Sequence, residues 1–174
     1  LFPDKVHTPK SMKRVLNQKV FQITFDLNFK QVIAHCAKIQ RPYQKGTWIT
    51  DDMLKAYIKL HQLGYTHSVE VWQDQKLVGG LYGLSLGRCF FGESMFSLKP
   101  NASKAGFLTL AKKLNQAQFT LIDSQVPTYH LTQLGGVSID RGKYMDLLKE
   151  ALTYPTLKGN WGQLPQFSLE EESP

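Results

Sequence analysis

Hydrophobic and polar positions along the 174-residue chain change their period several times, and each change marks a predicted element. Val20 to Phe25 alternates apolar and polar, the period-two pattern of a half-buried strand. Asp26 or Asn28 then caps a helix to about Lys38 with Phe29, Val32, Ile33 and Cys36 on one face, closed off by Pro42 and Gly46. Thr47 to Asp52 reads as a second helix start, with Thr50 or Asp51 as cap. Met53, Leu54, Tyr57, Leu60 and Leu63 follow at helical spacing until Gly64 stops them. His67 to Trp72 alternates again, and Asp74-Gln75 turns it into Lys76–Leu84. Asn101 caps a helix from Ala102 to about Gln116, with Phe107, Leu108, Leu110, Ala111 and Leu114 as its apolar positions. Phe119 to Val126 reads as a strand, Pro127 to Leu134 as a short helix, Val137 to Ile139 as a candidate short strand, and Asp140 as the cap of a helix Lys143–Leu152.

The expected fold is therefore mixed α/β (α+β), a mainly antiparallel sheet with helices on its faces. Residues 1–19 show little periodicity and read as an extended basic lead-in, either a solvated linker or an arm contacting phosphates. An α/β domain spans 20–152. Residues 153–174, ending in Glu-Glu-Glu-Ser-Pro, read as an irregular tail.

Gly79 to Ser97 is the stretch around which the rest is organised, two apolar strands meeting near Gly87. Glycine weakens a strand interior, so Gly79, Gly80, Gly83, Gly87 and Gly92 suggest a bulge, a bend or close approach of another molecule to the backbone. Glu93 stands among Phe90, Phe91, Met95 and Phe96. Such an acid is either solvated at a strand edge, the ordinary outcome, or held in a pocket. Trp48, just before the second helix, either packs inward or offers an exposed stacking platform.

Composition adds a modest bias. With 42% hydrophobic and 20% charged residues the chain is ordinary for a soluble domain, and its net charge of +7 suits a polyanion such as RNA. No run approaches a membrane span, and the first residues do not resemble a signal peptide. Without an initiator Met the chain reads as a fragment or a processed product. Cys36 and Cys89, in apolar surroundings, read as buried thiols of a reducing cytoplasm.

Most familiar chemistry is missing. The five histidines and two cysteines have no metal-ligand spacing, and there is no phosphate loop, dinucleotide fingerprint or nucleophile elbow. No metal, ATP or dinucleotide is expected. What remains is Asp123 and Gln125, two polar residues at i and i+2 on a predicted strand. They either orient a nucleophile or proton, or simply end a strand in water.

Several segments follow in a telling order: SMKR (11–14), GTWIT (46–50), HSVEVW (67–72), GGLYG (79–83), GESMFS (92–97), NASK (101–104) and LIDSQV (121–126). Over residues 1 to about 152 they resemble the bacterial leucyl/phenylalanyl-tRNA–protein transferases, with GESMFS and the D-x-Q-V strand the most specific. The resemblance implies a GNAT-like fold, a cytoplasmic enzyme without cofactor or metal, and no membrane partner. It implies transfer of Leu or Phe from aminoacyl-tRNA to proteins or peptides with N-terminal Arg or Lys, marking them for degradation. It further implies that Gln125 contacts the attacking amine and that Asp123 orients Gln125 and helps manage the proton. Leu81, Phe90, Met95, Leu110 and Ile122 match the amino-acid side-chain pocket, and Glu93 matches a pocket acid able to receive a cationic acceptor. Trp48 matches a position stacking on the tRNA 3′ adenosine, with Tyr57 beyond it on the next helix. Lys10, Lys13 and Arg14 stand beside the segment the family uses near the tRNA end.

The chain departs from the family pattern at Leu81 and Leu110, often Met and Phe, and at Thr128, usually Asn. The family's upstream Trp-Trp-Ser-Pro segment is missing, so a non-catalytic tRNA- or peptide-binding module is the alternative. An acyl-CoA-dependent transferase is disfavoured, because Phe96–Ser103 lacks the turn that cradles pyrophosphate with backbone N–H groups.

Overall fold

Among the described residues, β1 (Gln22–Phe25), β2 (Thr66–Gln73), β3 (Lys76–Leu86), β4 (Cys89–Ser97) and β5 (Leu121–Asp123) form one sheet in chain order. Pairing is antiparallel from β1 to β4, and β5 joins β4 in parallel. The structure is a computed structural model that describes residues 1–39 and 47–169. The mixed α/β layout with a mainly antiparallel sheet is the one the periodicity predicts. The expected helix stop at Pro42 and Gly46, and the terminal Glu-Glu-Glu-Ser-Pro, lie outside the described residues.

Local signals account for most boundaries. Asp74 and Gln75 both adopt positive φ (51° and 59°), the handedness that joins two right-twisted strands tightly. Side chains of Asn28, Thr50 and Asp140 accept the N–H groups of Gln31, Met53 and Lys143, capping α2 (Phe29–Lys38), α3 (Asp51–Gln62) and α6 (Arg141–Leu152). Asn101 precedes α4 (Ala102–Gln116) but makes no cap bond. It sits at φ 69°, and the Ser97 hydroxyl takes the Ser103 N–H instead. Gly87 forms the β3–β4 turn at φ 55°, where a Cβ would collide with the Ala151 carbonyl oxygen. At Gly83 a Cβ would lie 2.5 Å from the Phe90 ring, so that glycine serves packing within the chain.

Leu108, Leu110 and Leu114 of α4 pack in one cluster with Val69, Leu81, Phe90 and Ile122 of the sheet. A second cluster joins Phe29, Val32, Ile33 and Cys36 of α2 to Tyr82 and Phe96. Each such side chain contributes about 1.5–3 kcal/mol over leaving it in water. β2, expected to be half-buried, is buried over Thr66–Val71, because helices cover both faces. α3 keeps no residue fully buried: Leu63 is exposed, and Leu54, Tyr57 and Ile58 make the contacts.

Other expectations are corrected or refined. Residues 1–19 are not extended: Pro3–Lys5 is a 3-10 turn and α1 (Lys10–Asn17) a helix with Met12 buried. Met12, Val15 and Leu16 provide the i, i+3, i+4 stripe that packs α1 onto the core, and surrounding charges obscure it. Val137–Ile139 forms no strand. The segment after Thr153 is irregular but anchored, with 3-10 turns at Trp161–Gln163 and Pro165–Phe167 that bury Trp161 and Phe167.

Candidate active site

The site begins with a break in pairing. Tyr82 faces Ser94 and Gly83 faces Gly92, leaving Glu93 as an extra residue on β4. This β-bulge reverses the alternation of the strand. Phe90 and Met95, an odd number of residues apart, therefore share one face with Leu81, which pairs directly with Met95. Ile122 pairs with Phe90 from β5 and extends the same surface. These four side chains and Phe107 of α4 line a cleft of about 740 Å³.

Glu93, Gln125 and Trp48 also line this cleft, Trp48 being 37% exposed. Leu110 is fully buried behind the lining residues, in their cluster, and does not line the cleft. Tyr57 stands outside the lining too. It interacts with Glu93 and meets the rings of Trp48 (6.2 Å, 72°) and Tyr82 (5.3 Å, 77°) edge-on. Lys10, Lys13 and Arg14 are exposed on α1 and take no part in the cleft wall.

Asp123 and Gln125 meet, but not as neighbours on one strand face. β5 ends at Asp123, and Gln125 turns at φ 57°. The link runs from side chain to backbone: Gln125 N–H donates to Asp123 Oδ1 at 2.8 Å, a local turn that aspartate favours. The other carboxylate oxygen, Oδ2, accepts the Tyr144 hydroxyl of α6 at 2.8 Å. Neighbouring acceptors orient the Gln125 amide, whose nitrogen donates to the Gly92 and Ser124 carbonyls at 2.9 and 3.1 Å. Asp123, Gln125 and Tyr144 also line a second cleft of about 530 Å³ across the 122–126 segment.

The electrostatics follow from burial. Partial burial raises the pKa of Glu93 and the charge of Asp123 adds to the rise, while the Tyr57 hydrogen bond opposes it. Tyr57 and Tyr144 are raised by burial and by their bonds to Glu93 and Asp123, so both hydroxyls remain donors. Burial pushes the Cys89 thiol up to about 12 and leaves it unreactive. Among the described residues no group of three or more His, Cys, Asp or Glu could hold a metal ion.

Sequence reasoning noted Thr128 only as a departure from the family pattern and missed Phe107, His130 and Tyr144 as site residues. Phe107 carried a signal in the apolar spacing of α4. Thr128 lines the cleft and caps the short helix α5 (Tyr129–Gln133), its hydroxyl accepting the Leu131 N–H at 3.2 Å. His130 also lines the cleft, its pKa lowered by burial and by Lys104. Tyr144 had no local signal, since its place depends on how α6 docks.

The sequence model described as leucyl/phenylalanyl-tRNA protein transferase matches residues 1–149. A leucyl/phenylalanyl-tRNA–protein transferase of Syntrophus aciditrophicus is 54% identical over 166 residues, 95% of this chain and 70% of the relative. One of Desulfatibacillum aliphaticivorans is 48% identical over 173 residues, 99% of this chain and 72% of its own. One of Pseudomonas aeruginosa (strain LESB58) is 52% identical over 155 residues, 89% of this chain and 68% of its own. Among solved structures, an aminoglycoside acetyltransferase from an uncultured soil sample superposes with a TM-score of 0.47 and 11% identity, over 76% of this chain and 88% of that one. By the match over residues 1–149 and these identities, the chain belongs to the leucyl/phenylalanyl-tRNA–protein transferase family.

Proposed function

We propose that the chain transfers leucine or phenylalanine from an aminoacyl-tRNA to the α-amine of an N-terminal Arg or Lys, marking the acceptor protein for degradation. The reaction belongs in the cytoplasm, where the tRNA donor is found. The observation that carries this reading is an apolar cleft whose floor is Leu81, Phe90, Met95 and Ile122, with Gln125 and Glu93 also in its wall and a half-exposed indole at Trp48. The names of the relatives point the same way.

An aminoacyl ester is already activated, so the protein must supply position and a polar environment for the developing charge. The amine nitrogen bonds to the ester carbonyl carbon, the bond from that carbon to the ribose oxygen breaks, and the amine proton ends on that oxygen. With its nitrogen engaged by the Gly92 and Ser124 carbonyls, Gln125 offers its amide oxygen to an N–H of the incoming amine. Asp123 holds the Gln125 backbone in place. Glu93, half-buried beside this point, ionises more readily once a guanidinium or ammonium side chain approaches. Trp48 stacks on the terminal adenine, worth about 1–3 kcal/mol. The apolar floor accepts side chains unbranched at Cβ.

The test incubates the chain with tRNA carrying radiolabelled phenylalanine and a peptide beginning with arginine. Label should pass to the peptide. Asp123→Ala and Gln125→Ala should each slow turnover by ~10²-fold or more with unchanged thermal melts. Binding of tRNA without any transfer would make the chain a non-catalytic module of the same fold.

A further inference from the structure

We propose that Tyr144 is a positioning residue for aminoacyl transfer, its hydroxyl fixing the Asp123 carboxylate that in turn holds Gln125; this rests on the function proposed above. Asp123 is the last residue of a three-residue edge strand, and the chain beyond it leaves regular structure. Gln125 adopts a left-handed backbone at φ 57°, a conformation unfavourable for a residue that carries a Cβ. A strained residue at the end of a short strand keeps its place only if its surroundings over-determine it. The Asp123 carboxylate supplies the local constraint by accepting the Gln125 N–H at Oδ1, 2.8 Å.

A carboxylate with one oxygen bonded is still loose, because its terminal torsion is broad. The Tyr144 hydroxyl closes that freedom at Oδ2, also 2.8 Å, from a separate element. That element is anchored independently. Asp140 caps α6 at its start, where the Lys143 N–H reaches Asp140 Oδ1 at 2.9 Å. The Arg88 N–H donates to the Ala151 carbonyl at 2.9 Å near its end. Leu147, Leu148 and Ala151 pack against Cys89 and Leu121 between these points. The position of Gln125 thus refers back, through Asp123 and Tyr144, to a helix docked on the sheet. Burial and the Asp123 charge keep Tyr144 a phenol, so the donor persists at working pH.

Tyr144→Phe keeps the ring and removes only the donor. It should lower kcat by ~10- to 100-fold, the scale of a hydrogen bond to a charged group, while KM for the aminoacyl-tRNA and the melting temperature stay near those of the parent. In an Asp123→Ala background the same substitution should have no further effect on kcat, because the hydroxyl acts through that carboxylate. A multiplicative effect of the two changes, a rise in KM without a fall in kcat, or unaltered kinetics would overturn the assignment. Failure here is separable from failure of the function: transfer by the parent chain and its loss in Asp123→Ala stand or fall independently of Tyr144. Absence of transfer by the parent would remove both.

Discussion

The backbone N–H of Trp161 donates to Asp26 Oδ2 at 2.7 Å, joining residues 135 positions apart. The same oxygen lies 2.8 Å from His67 Nδ1, and Oδ1 accepts the Ser68 N–H at 2.8 Å. The Trp161 indole stacks on His67 at 3.7 Å and on Phe167 at 4.2 Å. One buried carboxylate thus ties the end of β1, the start of β2 and the C-terminal segment into the core behind the cleft.

Asp26→Ala would leave three buried donors without an acceptor. Its cost should be about 3–5 kcal/mol in urea unfolding, far more than a surface substitution. Trp161→Ala should cost a similar amount, about 3–5 kcal/mol, by opening a cavity. A loss under about 1 kcal/mol for either variant would mean that the segment peels away without disturbing the core.

Donor choice should follow the shape of the cleft floor. Leu81 is buried, lines the cleft and faces Met95 across the β3–β4 pair. Leu81→Phe narrows the space and should penalise phenylalanine more than leucine by ~1–3 kcal/mol in relative kcat/KM. Equal losses for the two charged tRNAs would put the amino-acid side chain elsewhere.

Glu93 makes a prediction with a definite sign. Its carboxyl is raised in the folded protein, chiefly by burial. Above the ordinary carboxylate value of ~4.3 the unfolded chain has released this proton while the folded one retains it. Its contribution to stability therefore declines as pH rises through the raised folded value. Glu93→Gln removes the decline, so the variant should gain on the parent as pH rises above about 4 in chemical denaturation. Titrations of Glu70 and His67 are common to both proteins and cancel. A constant or shrinking difference would mean that Glu93 is solvated. The same variant should use acceptors beginning with Arg or Lys less well.

Lys10, Lys13 and Arg14 are exposed on one short helix. If they contact tRNA phosphates, neutralising all three should flatten the log–log salt dependence of binding by about two to three units. The choice between leucine and phenylalanine should not change, because phosphate contacts position the RNA while the apolar floor selects the side chain. Trp48→Ala should instead weaken binding by roughly 1–3 kcal/mol with little change in slope. An unaltered salt slope in the triple variant would take this helix off the RNA surface.

The sequence by itself determined the elements whose causes are local. Period-two alternation set β1 and β2, apolar runs meeting near Gly87 set β3 and β4, helical spacing set α2 and α4, and cap residues set the starts of α2, α3 and α6. The resemblance brought Leu81, Phe90, Met95, Leu110, Ile122, Glu93, Trp48, Tyr57, Asp123 and Gln125 forward; seven of them line one cleft, while Leu110, Tyr57 and Asp123 stand outside its lining. Tertiary structure decided the rest. The extra residue at Glu93 is a property of two strands in register, so alternation within β4 alone could not place Phe90 and Met95 on one face. Asp123 and Gln125 meet through a backbone bond in a turn, because β5 ends where parallel pairing with β4 ends. Burial of Trp161 against Asp26, and of Met12 in a helix whose other residues are mostly charged or polar, depends on distant surfaces. Tyr144 reaches Asp123 only because α6 docks where Ala151 and Leu121 pack. Periodicity records what a residue does within about four positions of itself, whereas docking is a competition among whole surfaces for the same apolar area.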